Sequence, residues 1–111
     1  MTERSALDVY QDAAVRTINS SLTDIDRLFD AAAGLAEEAG EVLGHVRKHV
    51  MQGRPLSRDD VIVELGDALW CIAVAARSLG VPLSEVARVN EGKLRTRHPE
   101  GFASGERPAN R

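Results

Sequence analysis

Two stretches decide the fold of this chain: GLAEEAGEVLGHV at residues 34–46 and VELGDALWCIAVA at residues 63–75. Both carry apolar residues at helical spacing. Leu35, Ala39, Val42, Leu43 and Val46 fall on one stripe of the first, and Val61, Leu65, Ala68, Leu69, Ile72, Ala76 and Leu79 on one stripe of the helical segment that contains the second. Beside each apolar stripe runs an acidic one, with Glu38 and Glu41 (flanked by Glu37) on the first and Glu64 and Asp67 on the second. Carboxylates three and four residues apart on a helix repel by about 0.2–0.5 kcal/mol per pair. The other residues three and four away from these acids include no Lys or Arg, and Asp60 adds negative charge. A charge from outside the local helix is needed, and a hard divalent cation is the simplest source. Antiparallel packing of the two apolar stripes would bring both acid pairs to one place. Two separate solvated faces are the ordinary alternative.

Working outward, the spacing predicts four helices. The first spans residues 5–18 and is broken by Asn19-Ser20-Ser21. The second starts after Thr23, with Asp26 in a capping-box-like position, and runs to Met51, with a bend allowed near Gly34. Gly34, Gly40 and Gly44 each cost about 1 kcal/mol relative to Ala inside a helix, which suggests close approach by another backbone or a ligand. Gln52-Gly53-Arg54-Pro55 stops that segment. Ser57 caps a third helix from Arg58 to about Leu79, ended by Gly80 and Pro82. Ser84 would cap a last helix, from residue 85 to about 97, before Pro99. Residues 1–102 read as one domain of bundle type, and residues 103–111 as a small, polar, unpatterned, disordered tail.

Composition agrees with an all-α fold. The chain has 111 residues, 43% hydrophobic and only 4% aromatic, with no extended period-2 run. A net charge of −3 compels no nucleic-acid partner. Cys71, the single cysteine, excludes a disulfide framework or zinc cluster and suits a reducing compartment. No apolar run approaches the ~20 residues that span a bilayer, so the expected setting is cytoplasmic, with no membrane partner.

The order Glu37-Glu38-x-x-Glu41, then Glu64-x-x-Asp67, resembles the signature of the MazG-like nucleoside triphosphate pyrophosphohydrolases, an all-α superfamily. Gly34-Leu35-Ala36-Glu37-Glu38-Ala39-Gly40-Glu41-Val42 resembles the family's first block and Glu64-Leu65-Gly66-Asp67-Ala68-Leu69-Trp70 its second. Asn90-x-x-Lys93-Leu94-x-x-Arg97-His98-Pro99-x-Gly101-Phe102 resembles the third, with His98 where Tyr is commoner. The resemblance covers roughly residues 8–102. It implies Mg²⁺-dependent hydrolysis (Mn²⁺ as a substitute) of a nucleoside triphosphate between the α- and β-phosphates, giving a monophosphate and pyrophosphate, in nucleotide-pool housecleaning. Position by position it implies Glu38, Glu41, Glu64 and Asp67 as metal ligands, with Glu37 as a further catalytic acid that binds a second metal or orients water. It also implies a homo-oligomer, dimer or tetramer, that completes the bundle.

Other residues are candidates for holding substrate. Asn90, Lys93 and Arg97 share one helical stripe, and neither base has an acid three or four residues before it; they could hold the phosphate tail. Glu91–Arg95 and Glu85–Arg88 are expected local ion pairs. Trp70 projects off its apolar stripe and could stack on a base or pack at a subunit contact. Gln11 could read a base edge, though a solvated polar residue is the commoner meaning, and Tyr10 belongs in the core. His45 extends the acid stripe. Arg47 and Lys48 suit a helix end, and Cys71 a packing role. Two other functions compete. A ferritin-like di-iron bundle needs Glu-x-x-His, which this spacing does not supply. A catalytically inactive helical binding or regulatory module of the same fold is the alternative.

Overall fold

The computed structural model describes residues 3–102 and consists of four helices joined by short turns: α1 (Ala6–Val15), α2 (Asp24–Gln52), α3 (Arg58–Ser78) and α4 (Leu83–Arg97). The expected tail at 103–111 lies outside the described residues. Local chemistry sets most boundaries. Thr23 Oγ1 accepts from the Asp26 amide at 3.2 Å, and Ser57 Oγ from the Asp60 amide at 3.3 Å, which satisfies amides that no helical turn precedes. Gly53 closes α2 with φ of 66°, a left-handed conformation glycine adopts without steric cost. The second helix runs unbroken for 29 residues, with no interruption at Gly34.

The fourth helix corrects the sequence reading. It begins at Leu83 after Pro82, with no cap from its own side chains, and Ser84 does not cap it. Instead, Asp8 on α1 reaches across: Oδ1 accepts the Ser84 amide at 2.9 Å and Oδ2 accepts the Ser84 hydroxyl at 2.7 Å. These two bonds hold the Asp8 carboxyl below its usual range. The same α1 face carries Asp12, which pairs with Arg4 at 2.6 Å and Arg77 at 2.8 Å.

Gln11 is a second correction. It is 1% exposed, not solvated. Its Nε2 donates to the carbonyls of Ala73 (3.0 Å) and Val81 (3.2 Å), and its Oε1 accepts the Leu83 amide at 3.0 Å. The side chain therefore stitches α1 to α3 and to the turn that launches α4. Two of its three partners, the Val81 carbonyl and the Leu83 amide, lie in and just after the turn between α3 and α4, where no preceding helical turn satisfies them. Around it lies a small core of Ala14, Ala73 and Leu83, with Tyr10, Trp70 and Ile72 packed against it.

Helices α2 and α3 form a long antiparallel hairpin. Gly34 lies opposite Cys71, and Glu41 near Glu64, so residues advance on one helix as they retreat on the other. A Cβ at Gly34 would sit 3.0 Å from Cys71 Sγ, so what approaches this glycine closely is the Cys71 side chain and not another backbone. At Gly40 and Gly44 nothing lies within 4 Å of where their Cβ would be. Both α1 and α4 pack on α3, and neither touches α2. The radius of gyration is 17.0 Å, whereas a compact chain of this length would have about 13 Å. Leu43, Val50, Met51, Ile62, Val63 and Leu65 are exposed along the hairpin.

Candidate metal centre and nucleotide cavity

The hairpin register brings the acids together. Glu38, Glu41 and Glu64 each place a carboxylate oxygen within 4.8 Å of the others. Glu38 and Glu64 are half-buried, and the Oε2 of each is buried with no hydrogen-bond donor. Loss of solvent, above all, and then the facing Glu64 carboxyl and the charges of Asp67 and Glu37 push the Glu38 carboxyl up from its ordinary range. Buried carboxylate oxygens without donors are costly to leave unmatched. Three oxygen donors at this separation, with no histidine or thiolate among them, form a hard ligand set that fits a divalent cation.

Next to this cluster is a cavity of about 330 Å³, lined by Asp30, Ala33, Gly34, Glu37, Glu38, Asp67, Trp70 and Cys71. Asp67 and Glu37 face the cavity and stand outside the tight triple of Glu38, Glu41 and Glu64. Because Gly34 lacks a side chain, its stretch of wall is backbone. Cys71 is buried there, and its thiol is pushed up first by burial and then by the charges of Glu38, Asp67, Asp30 and Glu37. Trp70 is fixed by its indole N–H, which donates to Thr17 Oγ1 at 2.8 Å and to the Ala14 carbonyl at 3.1 Å. Its polar atom is thereby occupied by α1, leaving the π-surface as what it can offer a ligand. Its packing and cavity-lining roles coexist.

The remaining sequence candidates fall elsewhere. Gln11 is not brought to the cavity; its amide is committed to the core bonds described above. Asn90 borders a separate groove with Leu7, Leu69, Leu83, Val86 and Ala87. Lys93 is exposed and Arg97 half-buried, and neither they nor any other described Lys or Arg lines the acidic cavity. The expected local pairs do form, Arg88 to Glu85 at 2.6 Å and Arg95 to Glu91 at 3.8 Å. His45 is half-buried, outside the acid triple, and Arg47 and Lys48 are exposed. Asp30, which also lines the cavity, is not among the residues the motifs point to. Its signal was its place four residues before Gly34 and seven before Glu37, on the same stripe.

Fold and site together define an all-α domain whose central hairpin gathers three carboxylates at metal-ligand spacing beside a cavity lined by Trp70. The chain belongs to the family described as the MazG nucleotide pyrophosphohydrolase domain, whose model matches residues 30–102. It is 34% identical over 107 residues to the Gene 37 protein of Mycobacterium phage L5, an alignment that covers 89% of this chain and 94% of the phage protein. No solved structure matches it. Among the described residues, no helix is long and apolar enough to cross a membrane.

Proposed function

We propose that this chain is a nucleoside triphosphate pyrophosphohydrolase that works with Mg²⁺, splits the α–β phosphate bond and serves nucleotide-pool housecleaning in the cytoplasm. The observation that carries this reading is the pair of buried oxygens without a described donor, Glu38 Oε2 and Glu64 Oε2, within a carboxylate triple that meets the cavity through Glu38. Glu38, Glu41 and Glu64 would hold the cation, with Asp67 completing the set from the cavity side. A divalent ion bound there supplies charge neutralisation for the phosphate oxygens and favours attack by water. Glu37 lines the cavity outside the triple, where its carboxylate orients the attacking water and takes up a proton.

Among the described residues, none that lines the cavity of one chain offers a cation to the triphosphate. Asn90, Lys93 and Arg97 sit on a helix that does not touch α2. In our reading the site is completed in a homo-oligomer, with this stripe serving the phosphate tail across a subunit contact. The expanded single-chain dimensions and the exposed apolar residues of the hairpin support assembly.

The reading is tested by pyrophosphate release from a panel of ribo- and deoxyribonucleoside triphosphates. Release should require Mg²⁺ or Mn²⁺ and vanish in Glu38→Gln and Asp67→Asn. Mixing inactive Glu38→Gln with inactive Lys93→Ala should restore part of the activity if each subunit lends its α4 to a neighbour. A folded, metal-replete protein that released no pyrophosphate from any triphosphate would end this proposal. A monomeric mass in light scattering would end its oligomeric part.

A further inference from the structure

One end of the cavity is unassigned by the cation chemistry. Asp30 lies eight residues before Glu38 on an unbroken helix, about 12 Å along its axis. It is therefore too far from the carboxylate triple to share its ion. It is exposed, and no described residue pairs with it. Yet it lines the same cavity as Trp70 and Cys71. A nucleotide with its phosphates at the Glu38 end would direct its uncharged base toward this end, where a carboxylate meets no phosphate charge.

The hydrogen-bonding character of this end is one-sided. The Trp70 N–H is already spent on Thr17 and Ala14. The Gly34 and Ala33 backbone groups belong to the interior of α2. Cys71 offers only a weak thiol. What remains is the Asp30 carboxylate, which only accepts, beside an aromatic surface that is indifferent to base identity.

Among the standard bases, guanine alone presents two adjacent donors, N1–H and the 2-amino group, to one carboxylate. Adenine and cytosine set a donor beside a ring-nitrogen acceptor that the carboxylate repels. Uracil and thymine set one N–H between two carbonyls. The geometry points to Asp30 as a specificity-determining residue that accepts two hydrogen bonds from the Watson–Crick edge of a guanine-type base stacked on Trp70. This inference rests on the nucleotide reading of the cavity and deepens it by naming the base.

Trp70 is the only tryptophan in the chain, so its fluorescence reports stacking without hydrolysis. The full-length protein would be titrated with the 5′-monophosphates of guanosine, inosine, adenosine, cytidine and uridine. Guanosine monophosphate should bind tightest. Inosine monophosphate, lacking the 2-amino group, should bind about tenfold more weakly, and Asp30→Asn should cost guanosine about 10- to 100-fold while moving the others little. Equal binding of guanosine and inosine monophosphates by the wild-type protein, or a guanosine preference unchanged in Asp30→Asn, would overturn the inference. Guanine-selective, Asp30-dependent quenching in a protein that hydrolyses no triphosphate would sustain it and defeat the pyrophosphohydrolase reading. Pyrophosphate release with no base preference would do the reverse.

Discussion

Replacing Gln11 by leucine tests how the small core is held together. The substitution keeps the volume and removes three hydrogen bonds. The Ala73 carbonyl retains its bond within α3, so two groups lose a partner: the Val81 carbonyl and the Leu83 amide. Both lie where α4 is launched, under a side chain that is 1% exposed. A buried polar group left unpaired costs about 1–3 kcal/mol, so the pair should cost about 2–5 kcal/mol after some offset from the added apolar surface. A domain of this size has about 5–15 kcal/mol in total, and the variant should lose a large share of it. Urea unfolding followed by far-UV circular dichroism, at fixed protein concentration because assembly also stabilises, should show a midpoint about 1–2 M lower. Trp70 fluorescence should shift to the red as α1 and the turn after it, which hold the indole through Ala14 and Thr17, loosen. An unchanged midpoint and spectrum would refute the claim that Gln11 joins α1 to the start of α4.

Further outcomes follow from the charges and the hairpin contact. Without metal, the raised Glu38 carboxyl binds protons more tightly folded than unfolded. Stability should therefore fall as pH rises through the mildly acid range and level off above the folded pKa; a melting-temperature profile should show this in the wild type and not in Glu38→Gln. Asp8 and Asp12 are shifted the opposite way by Ser84 and by Arg4 and Arg77, so their stabilisation is full above the unfolded value of 3.8 and lost below it; Asp8→Asn should flatten the acid limb. Mg²⁺ should raise the melting temperature of the wild type and leave Glu38→Gln unmoved. At the closest point of the hairpin, Gly34→Ala gains up to about 1 kcal/mol of helix propensity but pushes on Cys71 Sγ at 3.0 Å. Gly34→Ala with Cys71→Ala should thus be more stable than the sum of the single changes, measured as a double-mutant cycle.

The hairpin was legible in the sequence because two independent patterns, apolar periodicity and unpaired acids, occupied adjacent stripes of α2 and α3. The turn at Gly53 and the caps at Thr23 and Ser57 were legible because each acts within a few residues. What stayed hidden was chemistry between distant segments. Asp8 capping α4 spans 76 residues, and Gln11 binding Val81 spans 70; no local pattern encodes either. Gln11 looked like a surface residue because an amide has no hydrophobic periodicity to betray burial. Gly40 and Gly44 lie about 120° and 80° around the helix from Gly34, off the face that meets Cys71, and meet open space. Asp30 stands two turns before Glu37, beyond the three- and four-residue neighbours through which the other acids reveal one another.

The most direct test of the central claim is the identity of the products. Phosphorus NMR of a nucleoside triphosphate incubated with the protein and Mg²⁺ should show the α, β and γ signals giving way to one monophosphate resonance and one pyrophosphate resonance, with no change in Glu38→Gln. Accumulation of nucleoside diphosphate and inorganic phosphate, or an unaltered spectrum with the folded, magnesium-loaded protein, would contradict the account.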